Sequence, residues 1–250
     1  MDATTAQPAY TGLEVLAHAL GALCYLAIGL PALLRAPRDP RTRVFFGLAV
    51  LNLVTFGVTM LVAVRGYTDP TTMPRAWLAL MLATFGVAAL LLFHFTQVFP
   101  RQRPWLKTSG MQMAIAYALA PTVIVVMVRF WPGSIQQLTT LHKLGFLVFG
   151  FPLAVLLAFV LPVAAIVSLA RSYREALAAR LPVAKAVGWV LVSQVLGSLL
   201  GLLAPAVLAA SPGSLAASFV ILLVSALGLL TPLAFAAAVW RFRLLELPPD

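Results

Sequence analysis

Charged residues are scarce in this sequence, and their scarcity excludes a water-soluble globule. Asp, Glu, Lys and Arg together make up 10% of the 250 residues, hydrophobic residues make up 62%, and the mean hydropathy is +1.01. Soluble domains carry about a quarter charged residues, because their surface faces water. The surface of this chain must therefore face lipid.

Cysteine is almost absent as well. The single cysteine, Cys24, lies inside an apolar run, so the sequence contains no disulfide framework and no cysteine-based metal site. The N-terminus has no basic residue before the first apolar stretch, whereas a cleavable secretory signal begins with a basic region. We therefore expect the first apolar segment to remain in the mature protein.

Motifs of common catalytic and transport chemistry are also missing. The sequence has no nucleophile-elbow pattern, no phosphate-binding loop and no His-Glu-x-x-His. No Asp, Glu, Lys or Arg lies at predicted mid-membrane depth, so a proton pump has no evident relay. The last apolar run has no lysine for the Schiff base of a microbial rhodopsin. We predict that the chain is not an enzyme.

Seven long apolar runs are present instead. Each approaches or exceeds the roughly 20 residues that a helix needs to cross the hydrocarbon core. The predicted spans are Gly12–Leu34, Val44–Val64, Ala76–Phe99, Met111–Phe130, Leu144–Ala170, Val183–Ala209 and Leu215–Trp240. They are continuously apolar and lack the alternation of a β-barrel strand. The sequence thus predicts an all-α polytopic membrane protein, a single seven-helix domain over residues 1–250.

Basic residues predict the direction of the spans. One side carries thirteen basic residues, in the loops after spans one, three and five and in the C-terminal tail: Arg35, Arg38, Arg41, Arg43, Arg101, Arg103, Lys107, Arg171, Arg174, Arg180, Lys185, Arg241 and Arg243. The other side carries four: Arg65, Arg75, Arg129 and Lys143. Because short basic loops stay in the cytoplasm, we expect the N-terminus outside and the C-terminus inside. The net charge of +10 then reflects topology and attraction to anionic lipid, not nucleic-acid binding.

Polar residues inside the spans are candidates for ligand or partner binding. Glu14 and His18 are four residues apart in span one and could pair. His94 and Gln97 lie near the cytoplasmic end of span three, and we expect them on one side of the helix. His94 could form an interhelical hydrogen bond or ligate a pigment. No second histidine has metal-ligand spacing to it, so no metal site is predicted.

Two spans carry stripes that suit helix packing. Span two has Asn52, Thr55 and Thr59 on one face, and Asn52 is also a candidate for ligand or partner binding. Small residues let helices approach closely and amides bond across the contact, and span six has such a set: Gln194, Gly197, Ser198 and Gly201. Prolines near or within the spans should kink the helices; they are Pro31, Pro121, Pro152, Pro162, Pro205 and Pro232.

Two stretches support a family resemblance. Span three closes on His-Phe-Thr-Gln-Val-Phe-Pro, from His94 to Pro100, and the last span leaves through Trp-Arg-Phe-Arg-Leu, from Trp240 to Leu244. Both resemble the seven-helix N-terminal sensory region of bacterial sensor histidine kinases and related signalling proteins. The resemblance implies an N-out sensory module in the bacterial inner membrane. An output domain would follow in that family; here either it was removed or the chain acts through partners.

Three functions remain open on these residues. The first is a receptor-like module that responds to a small or lipophilic ligand or to a membrane partner. The second is a structural subunit of a photosynthetic or respiratory complex, with a bound pigment or lipid, although no cofactor is required by the sequence. The third is a transporter, although we find no repeat between the halves that would indicate one. We expect membrane lipids and either a membrane-protein partner or a second copy as partners.

Overall fold

A computed structural model of this protein describes residues 12–65, 73–130, 139–210 and 215–246, and within them it contains helices and no β-strand. In chain order the helices are α1 Gly12–Arg35, α2 Pro40–Val64, α3 Arg75–Val98, α4 Pro104–Thr108, α5 Gly110–Phe130, α6 Thr140–Ala178, α7 Ala184–Ala210 and α8 Leu215–Ala236. A π-helical turn, Ala237–Arg241, continues α8, and a 3-10 turn, Leu244–Glu246, follows. The all-helical prediction is confirmed for these residues.

The seven predicted spans are helical, apart from single residues at some of their ends. Within the described ranges, six helical segments are long and apolar enough to cross a membrane: His18–Arg35, Pro40–Val58, Arg75–Val98, Gly110–Arg129, Thr140–Ala178 and Leu222–Arg241. In α7, the described side chains form an apolar segment from Ala184 to Leu200. A multi-pass membrane protein is therefore supported, and the count of seven crossings remains a prediction.

The helix that carries span five extends beyond the predicted end of the span, which itself remains a prediction. The helix α6 continues past Ala170, so Arg171 and Arg174 lie on a helix rather than in a loop. The apolar run stops at Ala170, and the prediction stopped with it. A helix continues through arginine, however, because arginine is a good helix former.

The helix that carries span two likewise begins before the predicted start of the span. The helix α2 begins at Pro40 rather than Val44, which places Arg41 and Arg43 in its first turn. Proline suits this position, since its fixed φ matches the helix and its missing N–H would have no partner there. Two basic side chains assigned to a loop are therefore held by a helix.

The helices form a closed ring. α1 packs on α2, α2 on α3, and α3 on the C-terminal part of α6; α6, α7 and α8 then follow in order until α8 packs on α1. α5 packs against α3 outside this ring. The end of the bundle with the α1–α2 and α6–α7 connections, α4 and the end of α8 is called the basic end, because most basic residues lie there.

The main hydrophobic core lies at the basic end. Its centre is four fully buried phenylalanines from α2, the end of α3 and α8: Phe45, Phe95, Phe99 and Phe235. The rings of Phe45 and Phe235 stack with their centroids 4.0 Å apart, and those of Phe95 and Phe99 lie 5.1 Å apart. Aromatic pairs of this kind add about 0.5–1.5 kcal/mol to the effect of burial alone. The cluster therefore joins three helices that are distant in sequence.

The opposite end of the bundle is less densely packed. From Thr140 to Val160, α6 contains no buried residue. Two π-helical turns, Phe146–Gly150 and Leu156–Val160, interrupt its α-helical geometry there. Pro152 and Pro162 each lie two residues after one of these turns, and each lacks the N–H that a helical hydrogen bond requires. Among the described residues, partly buried side chains such as Leu153 and Leu157 pack this stretch against α3 and α5.

Candidate functional site

The residues from His94 to Pro104, here called the 94–104 segment, connect α3 to α4 at the basic end. The backbone becomes extended at Phe99, which precedes a proline in a cis peptide bond. It then turns back, and the N–H of Arg103 donates to the carbonyl of Gln97 at 2.9 Å. The helix α4 begins at Pro104, the next residue. The sharp turn leaves carbonyl groups and side chains of this segment facing several neighbouring helices.

A buried ion pair holds the 94–104 segment to the start of α2. The guanidinium of Arg41, which is fully buried, donates to both carboxylate oxygens of Asp39, with Nη2 and Oδ2 2.6 Å apart. Its Nη1 donates to the carbonyl oxygen of Pro100 at 3.0 Å. The carboxylate of Asp39 also accepts the backbone N–H of Arg41 at 2.8 Å, as a helix N-cap does. One arginine thus joins the α1–α2 turn to the end of α3.

A second arginine links the same segment to α6. Nη1 of Arg103 donates to Oε1 of Glu175 at 3.0 Å, and Nη2 donates to Oγ of Ser172 at 3.0 Å and to the carbonyl of Ser168 at 3.3 Å. The side chain of Glu175 is 64% exposed, so water screens the ion pair and limits its contribution. The bonds to the partly buried serine groups are better shielded and fix the position of Arg103 on α6.

An open groove of about 480 Å³ lies beside the 94–104 segment, between α2, α3, α4 and α5. Sites for small ligands commonly measure about 300–1,000 Å³. The α3 and α5 residues that line it recur at helical spacing, so each helix presents one face to the groove. The lining residues are Pro40, Arg43, Val44, Leu91, His94, Val98, Gln102, Leu106, Gly110, Met113, Ala114 and Tyr117. This groove is the candidate ligand site.

His94 lies in the wall of the groove and is half-buried. Its Nδ1 and the hydroxyl oxygen of Tyr117 are 3.0 Å apart and form a hydrogen bond between α3 and α5. The hydrogen-bonding role considered for His94 is therefore present. Tyr117 was not among the predicted site residues, although it shares a helical face with Gly110 and Ala114.

Gln97 does not line the groove with His94, although the two residues are three apart on α3. It is buried, its Nε2 donates to Oγ1 of Thr96 at 3.2 Å, and its Oε1 accepts from Oγ of Ser168 in α6 at 3.3 Å. Positions three apart on a helix differ in direction by about 60°. That difference sends His94 toward α5 and Gln97 toward α6. Gln97 therefore belongs to the polar contacts with α6 and not to the groove.

Asn52 and His18 do not line the groove. Asn52 is half-buried and its Nδ2 donates to the carbonyl of Leu48 in its own helix at 2.8 Å. His18 lies on an exposed face of α1. The side chain of Glu14 lies outside the described residues, as does any pairing of it with His18. Asn52 and His18 are thus not brought together with His94.

The predicted packing stripe of α7 is only partly in contact with a neighbour. Gln194 reaches Oγ1 of Thr231 in α8 at 3.4 Å, and Ser193, which was not predicted, donates to the carbonyl of Leu227 at 2.7 Å. Ser198 is half-buried. A Cβ added at Gly197 would meet no atom within 4 Å.

Among the described residues, Gly197 therefore marks no close helix approach, and its contact with a partner remains a prediction. The surroundings of Gly201 lie outside the described residues. A close approach does occur at Gly29 of α1, where an added Cβ would lie 3.1 Å from Cβ of Ala49 in α2.

Acidic and metal-binding side chains are sparse at the site. In the part of the chain that the structure describes, no group of three or more His, Cys, Asp or Glu side chains could hold a metal ion. Of the charged residues that matter most, Arg41 and Arg103 were interpreted from sequence only as topology signals, and Asp39 and Glu175 were not predicted. An Asp-Pro pair shortly before an apolar run is a helix-start pattern, and it could have identified Asp39.

Comparisons with known proteins add nothing to these contacts, since no family model, no curated protein and no solved structure matches the chain. Functional inference therefore depends on the groove and on the residues around it.

Proposed function

We propose that this chain is a non-catalytic, receptor-like membrane module with seven crossings, which binds a small or lipophilic ligand in the groove beside the 94–104 segment. The observation that carries the proposal is the position of the groove. Its walls include His94, Val98 and Gln102, which belong to the segment that contacts α2 and α6. A ligand in the groove would therefore touch the element that holds the helix ends together.

The coupling follows from the contacts of that segment. Pro100 accepts a hydrogen bond from the buried Arg41, and Arg103 is bonded to α6. A ligand shifts a conformational equilibrium only by as much as its affinity differs between the two states. A ligand that separates α3 from α5 would disturb the His94–Tyr117 bond and displace the segment between its two arginine contacts.

The orientation is part of the proposal. We infer that the basic end faces the cytoplasm and that the N-terminus is outside, because thirteen of the 17 basic residues lie on the predicted inner side. Tags inserted at Arg38 or Arg174 should be accessible only from inside, and tags at Asp69 or Gln136 from outside. Labelling of the Arg38 tag from outside in intact cells would contradict the proposed orientation.

Blocking the groove tests the receptor function. Ala114→Phe should fill the groove, whereas Ala118→Phe, also at an exposed alanine but one turn away, leaves it open. Each variant would be purified gently from native membranes and its retained small molecules identified by mass spectrometry. We expect a compound retained by the wild type and by Ala118→Phe to be lost from Ala114→Phe. Equal retention by all three proteins contradicts the proposed site.

A structural subunit of a larger membrane complex is the second candidate. The exposed, apolar N-terminal part of α6 favours it, with Leu147 66% and Phe149 60% exposed. Stable co-purification of other chains at fixed stoichiometry, unchanged by Ala114→Phe, would support this alternative. Loss of a bound chromophore in His94→Leu would support it too, because a histidine can ligate a pigment.

A further inference from the structure

The groove differs in polarity along its length. Arg43, in the first turn of α2, and Gln102, before α4, lie where the helices end, while Leu91 and Met113 line the walls farther along. Leu91 and Val98 are seven residues apart on α3, so this wall runs along the helix for about 10 Å; His94 lies between them, with its Nδ1 already hydrogen-bonded to Tyr117. The groove thus suits a molecule with one polar end and one apolar end, aligned with the helices.

Arg43 has no acidic partner within the described ranges. The carboxylates nearest to the basic end are engaged elsewhere: Asp39 by Arg41, Glu175 by Arg103 and Glu246 by Arg243. No Asp or Glu lines the groove. An anion in the groove would therefore meet the guanidinium of Arg43 without competition from a carboxylate of the groove wall.

The groove is also accessible from the side. Gly110 and Ala114, one turn apart on α5, are exposed, and an added Cβ at Gly110 would meet no atom within 4 Å. α5 lies outside the helix ring, so this side faces the surrounding medium, which is lipid for a membrane span. A molecule already in the bilayer can enter without crossing water.

We infer that the groove binds an anionic phospholipid of the leaflet at the basic end, with its phosphate at Arg43 and Gln102 and one acyl chain along the wall formed by Leu91, Val98 and Met113. This inference rests on the proposed function, because it names the ligand class of the same groove. A water-soluble phosphate lacks the apolar part that the walls require. A neutral phospholipid lacks the net charge that Arg43 would bind.

The binding measurement uses purified protein in a neutral detergent. Phosphatidylglycerol, phosphatidylcholine and glycerol phosphate are each titrated, and the bound species are counted by native mass spectrometry together with the melting temperature. Phosphatidylglycerol should bind at one saturable site and raise the melting temperature. Phosphatidylcholine should bind more weakly, and glycerol phosphate should have no effect. Equal binding of the two phospholipids, or binding of glycerol phosphate, overturns the inference.

Matched variants locate the site. Arg43→Gln should weaken phosphatidylglycerol binding about fivefold, since one basic residue near an anionic lipid contributes about 1 kcal/mol. Arg38→Gln, an exposed arginine at the same end that does not line the groove, should change it little. Equal effects of the two variants would mean diffuse attraction to the surface and would overturn the inference.

The outcome for Ala114→Phe separates this inference from the proposed function. If Ala114→Phe abolishes phosphatidylglycerol binding and Ala118→Phe does not, the groove is the lipid site. If Ala114→Phe removes another retained compound while phosphatidylglycerol binding is unaffected by both Ala114→Phe and Arg43→Gln, the lipid assignment fails and the receptor proposal stands. If Ala114→Phe changes the binding of no compound, both are wrong.

Discussion

The two ends of this bundle are held together differently. At the basic end, side chains from α2, α3 and α8 form a buried aromatic cluster, and Arg41 and Arg103 bind backbone and side-chain groups of other elements. At the opposite end, the first part of α6 has no buried residue. Among the described residues, the contacts at the basic end therefore keep the helices in register, whereas the first part of α6 adds no buried side chain.

The largest effect should come from the aromatic cluster. Phe235→Ala should lower the free energy of unfolding by about 3–5 kcal/mol, because a fully buried ring leaves a cavity that its neighbours fill only in part. Phe149→Ala, at a 60% exposed position in α6, should cost less than about 1 kcal/mol, since lipid or detergent replaces the ring. Unfolding monitored in detergent would measure both. Similar losses for the two variants would remove the contrast between the ends.

Removing the buried arginine should cost nearly as much. Arg41→Met should destabilise the protein by about 3 kcal/mol, because the Asp39 carboxylate then loses its buried counter-charge. Arg38→Met, at an exposed position nearby, is the matched control and should change stability little. The double variant of Asp39→Asn with Arg41→Met should lose less stability than Arg41→Met alone. A single variant as stable as the wild type would mean that the ion pair does not hold the segment.

The contact between Arg103 and α6 should matter less. Glu175→Gln should cost about 0.5 kcal/mol or less, because the carboxylate is 64% exposed and exposed ion pairs are screened by water. Ser172→Val should cost about 1 kcal/mol, because it removes a better shielded hydrogen bond. Thermal unfolding at low and high salt would separate the two contributions, because salt weakens the Arg103–Glu175 ion pair and has less effect on the hydrogen bond to Ser172. A larger loss for Glu175→Gln would contradict this order.

The smallest effect is expected within the groove wall. Tyr117→Phe removes only the hydroxyl that bonds to His94, and interhelical hydrogen bonds in membranes average about 0.6 kcal/mol. Thr122→Val, which removes a bond within α5 to the carbonyl of Ala118, should cost still less because it joins no second helix. Unfolding in detergent would compare them. A loss of several kcal/mol for Tyr117→Phe would show that the groove is a structural centre rather than an adaptable site.

The sequence predicted the helices well because their signal is local. Runs such as Ala76–Phe99 are apolar for longer than any soluble strand, and their helical state needs no knowledge of neighbours. The ends of spans were less predictable, since Arg41 and Arg171 continue a helix beyond the lipid-facing run. The residues of the candidate site were predicted least well. His94 was predicted because it is an ionisable residue within an apolar run, but its hydrogen-bond partner Tyr117 lies 23 residues away in the sequence.

Composition alone therefore determined that this chain is a multi-pass helical membrane protein, because too few charged residues exist to cover a surface in water. Basic residues alone also predicted which ends of the helices lie together. Only the tertiary structure decided that Arg41 is buried against Asp39 and Pro100, that His94 and Gln97 face different helices, and that a groove opens beside them. Those facts depend on how α3 packs between α2, α5 and α6, and such long-range contacts leave no periodic pattern in the sequence.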